Sequence, residues 1–371
     1  MPANCLGSTL PSRAFRRGLR SLLEQRMADL SVVIVSWNVR DLLRRCLHST
    51  IKGRPTVGRS DAAHSTAEGV GARSPRPGAA AHPTLANPQH CRLEIIVVDN
   101  ASADGSVEMV RAEFPRVRLI ANADNRGFPA ANNQGLAVAQ GRYVLLLNPD
   151  TEVVGDALAG MVAYADAHPD VGVVGPQLLN PDGSVQSSRR RFPTLATALL
   201  ESTWLQPYAP RGVLERYYVL DRPDDEVQDV DWVKGAALMA RAEAVQQVGL
   251  MDEDFFMYSE ELDWCRRFRE AGWRVVYLPS AQIVHYEGKS SEQVVPARHI
   301  HFQTSKVHYF RKHHGVIVAE ALRLFLLGNY VWQLGLEGAK WLVGHRRSLR
   351  AQRVAAYRRV LASGLRSRKA R

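Results

Sequence analysis

The chain has 371 residues, 46% of them hydrophobic and 23% charged, a balance that excludes a disordered polymer and supplies one large core or two modest ones. Cys5, Cys46, Cys91 and Cys265 form no Cys-x-x-Cys pair and have no histidine at metal spacing, which argues against structural zinc and for a reducing, cytosolic compartment. The net charge of +11 is matched by the eleven cations from Lys340 to Arg371, and no acid follows Glu337, so the basicity belongs to a tail.

Residues 1–26 are basic but hold no continuous apolar stretch of signal-peptide length, and Met27 directly precedes the first strand. Residues 1–28 are therefore expected to be a disordered extension. "LSVVIVSW" (30–37) predicts a buried strand, and the spacing of Leu42, Leu43, Cys46 and Leu47 predicts a helix over 39–51. Residues 53–90, rich in Gly, Pro, Ala and Ser without apolar period, are expected to be a disordered surface insertion. "LEIIVVDN" (93–100) resumes as a strand, followed by a helix from "ASADGSVEMVRAEF", a strand at 117–122, a helix at 129–140 and a strand at 142–148. Strands alternating with helices at this spacing imply βαβ units and a parallel sheet. Two short strands flank the Asn180-Pro181-Asp182-Gly183 turn, a strand is expected at 230–240 and a helix at 260–272. Extended segments follow at 273–279 and 281–288, and helices dominate from about Arg298.

The motifs gather at strand ends. Asp99 closes the second strand, where it is either a turn-forming Asx residue or an acceptor for the imide N–H of uracil or thymine. "NRGFPAANNQG" (125–135) sets Gly127 before a helix carrying Asn132 and Asn133, and Asn148-Pro149-Asp150 puts a carboxylate beyond the fourth strand, where a hard divalent cation would suit it. The carboxyl edge of such a sheet is where open α/β folds bind ligands. No Gly-x-Gly-x-x-Gly follows the first strand, which argues against a dinucleotide-dependent oxidoreductase.

"SVVIVSWN", "EIIVVDNASADGS", "NRGFPAANNQG", "LLLNPDTEV", "WVKGAALMARAEAVQQVGLMDEDFFMYSEELDWCRRFREAGW" and "VHYEGKSS" occur in order from Leu30 to Ser291. Together they resemble the family-2 glycosyltransferases, and most of all their rhamnosyltransferase-like branch. The resemblance implies an α/β chain of the GT-A nucleotide-diphospho-sugar transferase fold, with a mostly parallel central sheet flanked by helices and a helical C-terminal tail. It also implies a catalytic domain over 29–297 and a helical basic region over 298–371. It implies inverting transfer of rhamnose or another hexose from a dTDP- or UDP-sugar donor to a glycan acceptor, of the class of polyprenyl-diphosphate-linked envelope precursors.

The resemblance assigns Trp37, Asn38, Asp99, Gly127, Asn132 and Asn148 to the donor nucleotide, and Asp150 and His285 to a divalent metal, Mg2+ or Mn2+. Trp232, Gly235, Glu260 and Asp263 fall on the acceptor side. His285 has an alternative as a satisfied strand histidine, and the "RRRFP" run (189–193) reads equally as a contact to diphosphate or a lipid-linked acceptor or as a solvated basic turn. Glu261 is expected to be the base, because it heads the apolar stripe Trp264, Cys265, Phe268, whereas Asp263 stands four before Arg267 at the spacing of an exposed ion pair. The basic tail suits an anionic membrane surface more than nucleic acid, of which no binding motif is present, so a peripheral place on the inner face of the membrane is expected. Docking of the tail on the catalytic domain is the competing reading. A catalytically silent nucleotide-sugar binder and a membrane-tethered scaffold are the alternatives to an enzyme.

Overall fold

A computed structural model describes residues 28–52, 91–201, 203–287, 295–344 and 346–366. The expected extension, apart from its last residue, and the expected insertion over 53–90 lie outside the described residues.

β1 (Leu30–Ser36), α1 (Arg40–Lys52), β2 (Leu93–Asp99), α2 (Ser106–Glu113), β3 (Arg118–Ala121), α3 (Phe128–Val138) and β4 (Tyr143–Leu147) alternate along the chain. They place β3-β2-β1-β4 side by side, all parallel. The runs are apolar throughout because both faces are covered. Val32 and Ile34 point into a core with Leu43, Leu47 and Met109, while Val33 and Val35 point into another with Ala131, Trp264 and Phe268. Register sets Ser36 opposite Asp99 and Ile34 opposite Leu147, so the three strands end along one edge.

The other half of the sheet is mixed. β5 (Thr151–Val153), α4 (Ala157–Ala167), β6 (Val171–Leu179), β7 (Val185–Gln186), β8 (Arg189–Arg190), α5 (Leu195–Leu200), α6 (Arg211–Tyr217), β9 (Gln228–Asp229), β10 (Trp232–Val233), β11 (Ala237–Arg241), α7 (Ala242–Val248), α8 (Glu260–Glu270) and β12 (Arg274–His285) follow. The order continues β4-β11-β6-β12-β5, with β11 antiparallel to both neighbours and β12 parallel to β6. The strand expected over 230–240 is broken at Lys234–Ala236, because β10 leaves the main sheet to pair with β8. Asn148 N–H donates to the Ala236 carbonyl at 2.9 Å, tying that break to the end of β4. The two extended segments near the end are one strand whose register shifts between Leu278 and Gln282, around Pro279, which has no N–H for the ladder.

α9 (Val295–His314), α10 (Val316–Leu342) and α11 (Arg347–Ser363) close the described chain. Tyr309, Phe310, Leu322, Leu326 and Val360 share a core with Ala198, Phe255 and Leu262, so the C-terminal helices dock on the rest of the molecule. Arg350, one of the tail's cations, is buried in a 2.6 Å ion pair with Glu337 that joins α11 to α10. The opposite face of α10 is left in water: Ile317, Leu324, Val331 and Leu342 form an exposed near-heptad stripe. Among the described residues, no helix is long and apolar enough to cross a membrane.

Candidate active site

The loops that leave the parallel strands are held by their own polar side chains. Asn38, at φ 53°, donates its N–H to Ser102 Oγ (2.9 Å), and its Oδ1 accepts the Ala103 N–H (2.7 Å). Asp99 accepts the Ser102 N–H through Oδ2 (2.9 Å), while its buried Oδ1 has no partner among the described residues. Asn100 donates to Asn125 Oδ1 (2.9 Å) and accepts the Arg126 N–H (3.1 Å), ordering the loop before α3. Gly127 is required there: its φ is +89°, and a Cβ would meet the Phe256 carbonyl oxygen at 2.8 Å.

Beyond β4, Asn148-Pro149-Asp150 turns the chain into β5. Antiparallel pairing of His285 with Thr151 lays the imidazole beside this turn, with Nε2 at 3.4 Å from Asp150 Oδ1. Gln186 fixes the tautomer. Its Nε2 donates to Asn180 Oδ1 (3.0 Å) and its Oε1 accepts from Lys234 Nζ (3.4 Å), so His285 Nδ1, 2.7 Å away, is the donor. That leaves His285 Nε2 as the ring nitrogen turned toward the Asp150 carboxylate, and Asn148 Oδ1 is buried without a partner among the described residues. Two oxygens and an imidazole nitrogen from one turn and one strand fit a divalent cation, with Gln186 as outer support. Another possible ligand group, Asp252, Asp254 and His308, already has Lys312 Nζ 2.7 Å from Asp252.

Across the cavity floor lies the start of α8. Tyr258 and Ser259 enter it at φ 71° and 65°, two successive non-glycine residues in left-handed conformation, strain of the kind that gathers at functional sites. Glu260 and Glu261 follow. Glu261 rests on Gly235, whose absent Cβ leaves the glutamate carbons at 3.4 Å and whose N–H points at Oε1 (3.4 Å). Asp263 requires a correction. It does pair with Arg267 (3.0 Å), but it is wholly buried, because α9 covers it and brings His313 (2.8 Å) and Lys312 (2.9 Å) onto its other oxygen. Burial works to raise its pKa, and the His313 and Lys312 hydrogen bonds outweigh that and hold it low. Asp263 clamps α8 to α9 and lines neither cavity described here.

Trp37, Gly127, Asn148, Asp150, Gly235, Glu260, Glu261 and His285 line one cavity of about 410 Å³. Asn38, Asp99 and Asn132 lie outside its lining, and Asn132 donates within α3 to the Phe128 carbonyl (3.0 Å). Trp232 lines a second, adjoining cavity of about 640 Å³. The family described as "Glycosyl transferase family 2" matches residues 82–221. The N-acetylglucosaminyl-diphospho-decaprenol L-rhamnosyltransferase of Mycobacterium tuberculosis is 30% identical over 236 residues, 60% of this chain and 76% of that protein. The chain is a family-2 glycosyltransferase of the rhamnosyltransferase-like branch. The rhamnosyltransferase WbbL of Escherichia coli K12 is 27% identical to this glycosyltransferase over 43% of its chain and 61% of WbbL. The mannosyltransferase PcManGT of Pyrobaculum calidifontis, solved with GDP-Man and Mn2+, is 17% identical with a TM-score of 0.49, covering 95% of this chain and 93% of that one.

Two residues that serve the glycosyltransferase's cavity were not singled out in the sequence. Lys234 lines it from within the quoted "WVKGAA" run, and Gln186 supports His285 from outside the lining, brought there by the β6–β7 pairing. The two glutamates differ in electrostatics. Burial raises both pKa values, and the charge of Glu261 raises that of Glu260 further, while the Gly235 N–H and Lys234 oppose the rise at Glu261. Burial and the charge of Glu261 both favour the protonated form of Glu260. Its raised pKa means that folding holds a proton the unfolded chain releases near its ordinary 4.5, so stability falls as pH rises from there through the raised value. Glu260→Gln cannot titrate. Its melting temperature relative to wild type is expected to climb as pH rises from 4 to 8; a constant difference in thermal scans would contradict this.

Proposed function

We propose that this glycosyltransferase moves rhamnose or another hexose from a dTDP- or UDP-sugar to a hydroxyl of a polyprenyl-diphosphate-linked glycan, inverting the anomeric centre. The observation that carries the proposal is a single cavity lined by both Asp150–His285 and Glu260–Glu261. The first pair suits the donor diphosphate and the second suits the incoming hydroxyl. The acceptor class is supported by the name of the M. tuberculosis relative. In this reading Asp99 Oδ1, buried without a partner among the described residues and just outside the cavity lining, is the acceptor for the imide N–H of the base, and Trp37 walls the nucleotide. Asp150 and His285 would hold the cation, whose charge, when bound, offsets that of the leaving diphosphate. A nitrogen in the donor set favours Mn2+ over Mg2+, which takes oxygen ligands. Glu261 accepts the acceptor's proton as the glycosidic bond forms. Incubation with dTDP-rhamnose or UDP-sugars, Mn2+ and an N-acetylglucosaminyl-diphospho-lipid should give product of inverted configuration by NMR. Donor hydrolysis without transfer, or binding without either, would reject the proposal.

A peripheral place on the inner face of the membrane belongs to the same proposal. The exposed stripe Ile317, Leu324, Val331 and Leu342 lies on the helix that precedes the basic α11, an apolar face beside excess positive charge. Sedimentation with phosphatidylglycerol vesicles should weaken in high salt and drop with Leu324→Asp plus Val331→Asp. Equal binding to neutral vesicles would argue against it.

A further inference from the structure

The second cavity adjoins the first and shares Lys234, Tyr258, Glu261, Glu287 and Arg298 with it. Resting on the proposed transfer, we infer that this chamber seats the diphosphate of the acceptor lipid, with the Arg190 guanidinium as its principal contact and Arg298 as the second cation.

Arg190 sits on β8 opposite Trp232 of β10. Its guanidinium lies over the Tyr218 ring at 4.5 Å and near the Trp232 ring at 6.0 Å. One nitrogen donates to Ser187 Oγ (2.7 Å) and to the Arg189 carbonyl (2.9 Å). No carboxylate forms an ion pair with it among the described residues, and burial pushes its pKa down. A half-buried guanidinium with no carboxylate in direct contact costs stability that an arriving anion restores. Two other cations of the chamber differ. Lys306 is paired with Glu201 at 3.0 Å, and Lys234 with Glu287 at 2.7 Å. Arg190 therefore has unspent charge and a planar fork suited to phosphate oxygens. Arg298, exposed at the seam of the two cavities, adds a second positive group.

The chamber's surroundings suit the rest of such a lipid. Gln333 lines it and donates to Asn329 Oδ1, which also accepts the Trp204 N–H. Trp204 stands 6.3 Å from Trp332 and 6.5 Å from Tyr208, three exposed aromatics in one cluster beside the chamber. An isoprenyl chain leaving the diphosphate would meet this apolar rim on its way to a bilayer.

The test is calorimetric titration of the full chain with farnesyl diphosphate, at saturating UDP and Mn2+ so that the donor side is filled. Saturable binding is expected, with farnesol and inorganic pyrophosphate each at least about tenfold weaker, since each lacks half of the recognised group. Arg190→Gln should weaken farnesyl diphosphate roughly 10- to 100-fold while UDP affinity is kept. Arg298→Gln, at an exposed position that folding tolerates, should weaken it less. Unchanged affinity in both variants, farnesol binding as tightly as its diphosphate, or pyrophosphate doing so, would overturn the inference. Farnesyl diphosphate bound as expected without any sugar transfer to a diphospho-linked acceptor would reject the proposed transfer and leave this site standing.

Discussion

Asp150→Asn is expected to abolish sugar transfer while the fold persists. The substitution keeps the size and shape of the side chain and removes the negative charge beside His285 Nε2, 3.4 Å away. A catalytic cation contributes several kcal/mol of transition-state stabilisation, so turnover should fall about 10³-fold or more. The melting temperature should stay within about 3 °C of wild type, because among the described residues the carboxylate makes no side-chain hydrogen bond or ion pair besides that with His285, and its backbone carbonyl still accepts the Tyr286 N–H at 2.9 Å. Gln186→Leu should act through the imidazole. Freed of its partner, His285 loses its fixed tautomer, and the Mn2+ concentration for half-maximal activity should rise roughly 10- to 100-fold. Wild-type protein that turns over fully in excess chelator would remove the metal from the mechanism.

How much of this could be read from the chain depends on the sequence distance over which each feature is built. The parallel half of the sheet was legible because β1, β2 and β3 are short runs each followed by a helix and β4 is a short apolar run that ends in a proline turn, all local patterns. The antiparallel placement of β11 between β4 and β6 was not, since nothing in "GAALMAR" distinguishes a strand running one way from the other. Asp150 was legible as a strand-terminating carboxylate, but Gln186 gained its place through the β6–β7 pairing and a contact with a histidine on β12. Asp263 shows the same limit in its burial. Its i,i+4 partner is local, while the helix that covers it comes from residues 295–314. The tail divides likewise. Its charge and apolar content are readable, whereas the spending of Arg350 on Glu337 and the docking of one face of α10 are tertiary facts.

Glu261→Gln should cut turnover roughly 10²- to 10⁴-fold with donor affinity retained. Three carboxylates compete for the role of base once Asp263 is set aside. Glu287 lines both cavities, yet Lys234 holds it at 2.7 Å, and although burial tends to raise its pKa the lysine hydrogen bond prevails and keeps it a weak base. Glu260 lines only the first cavity, and burial and the charge of Glu261 both favour its protonated form. Glu261 lines both, at the seam where, in the proposed reaction, a hydroxyl from the acceptor side would meet a sugar from the donor side. Its Oε2, like that of Glu260, is buried without a partner among the described residues, and at the seam it is an acceptor position open to that proton. Burial raises its pKa, which strengthens it as a base and moves the acid limb of the rate profile above the range of an ordinary glutamate. In wild type, kcat should therefore rise with pH through that raised value, and in Glu261→Gln the residual rate should lose the limb. Glu260→Gln should retain most of the turnover, because a neutral amide stands in for a carboxyl whose neutral form burial favours. A dead Glu260 variant beside an active Glu261 variant would exchange the two roles.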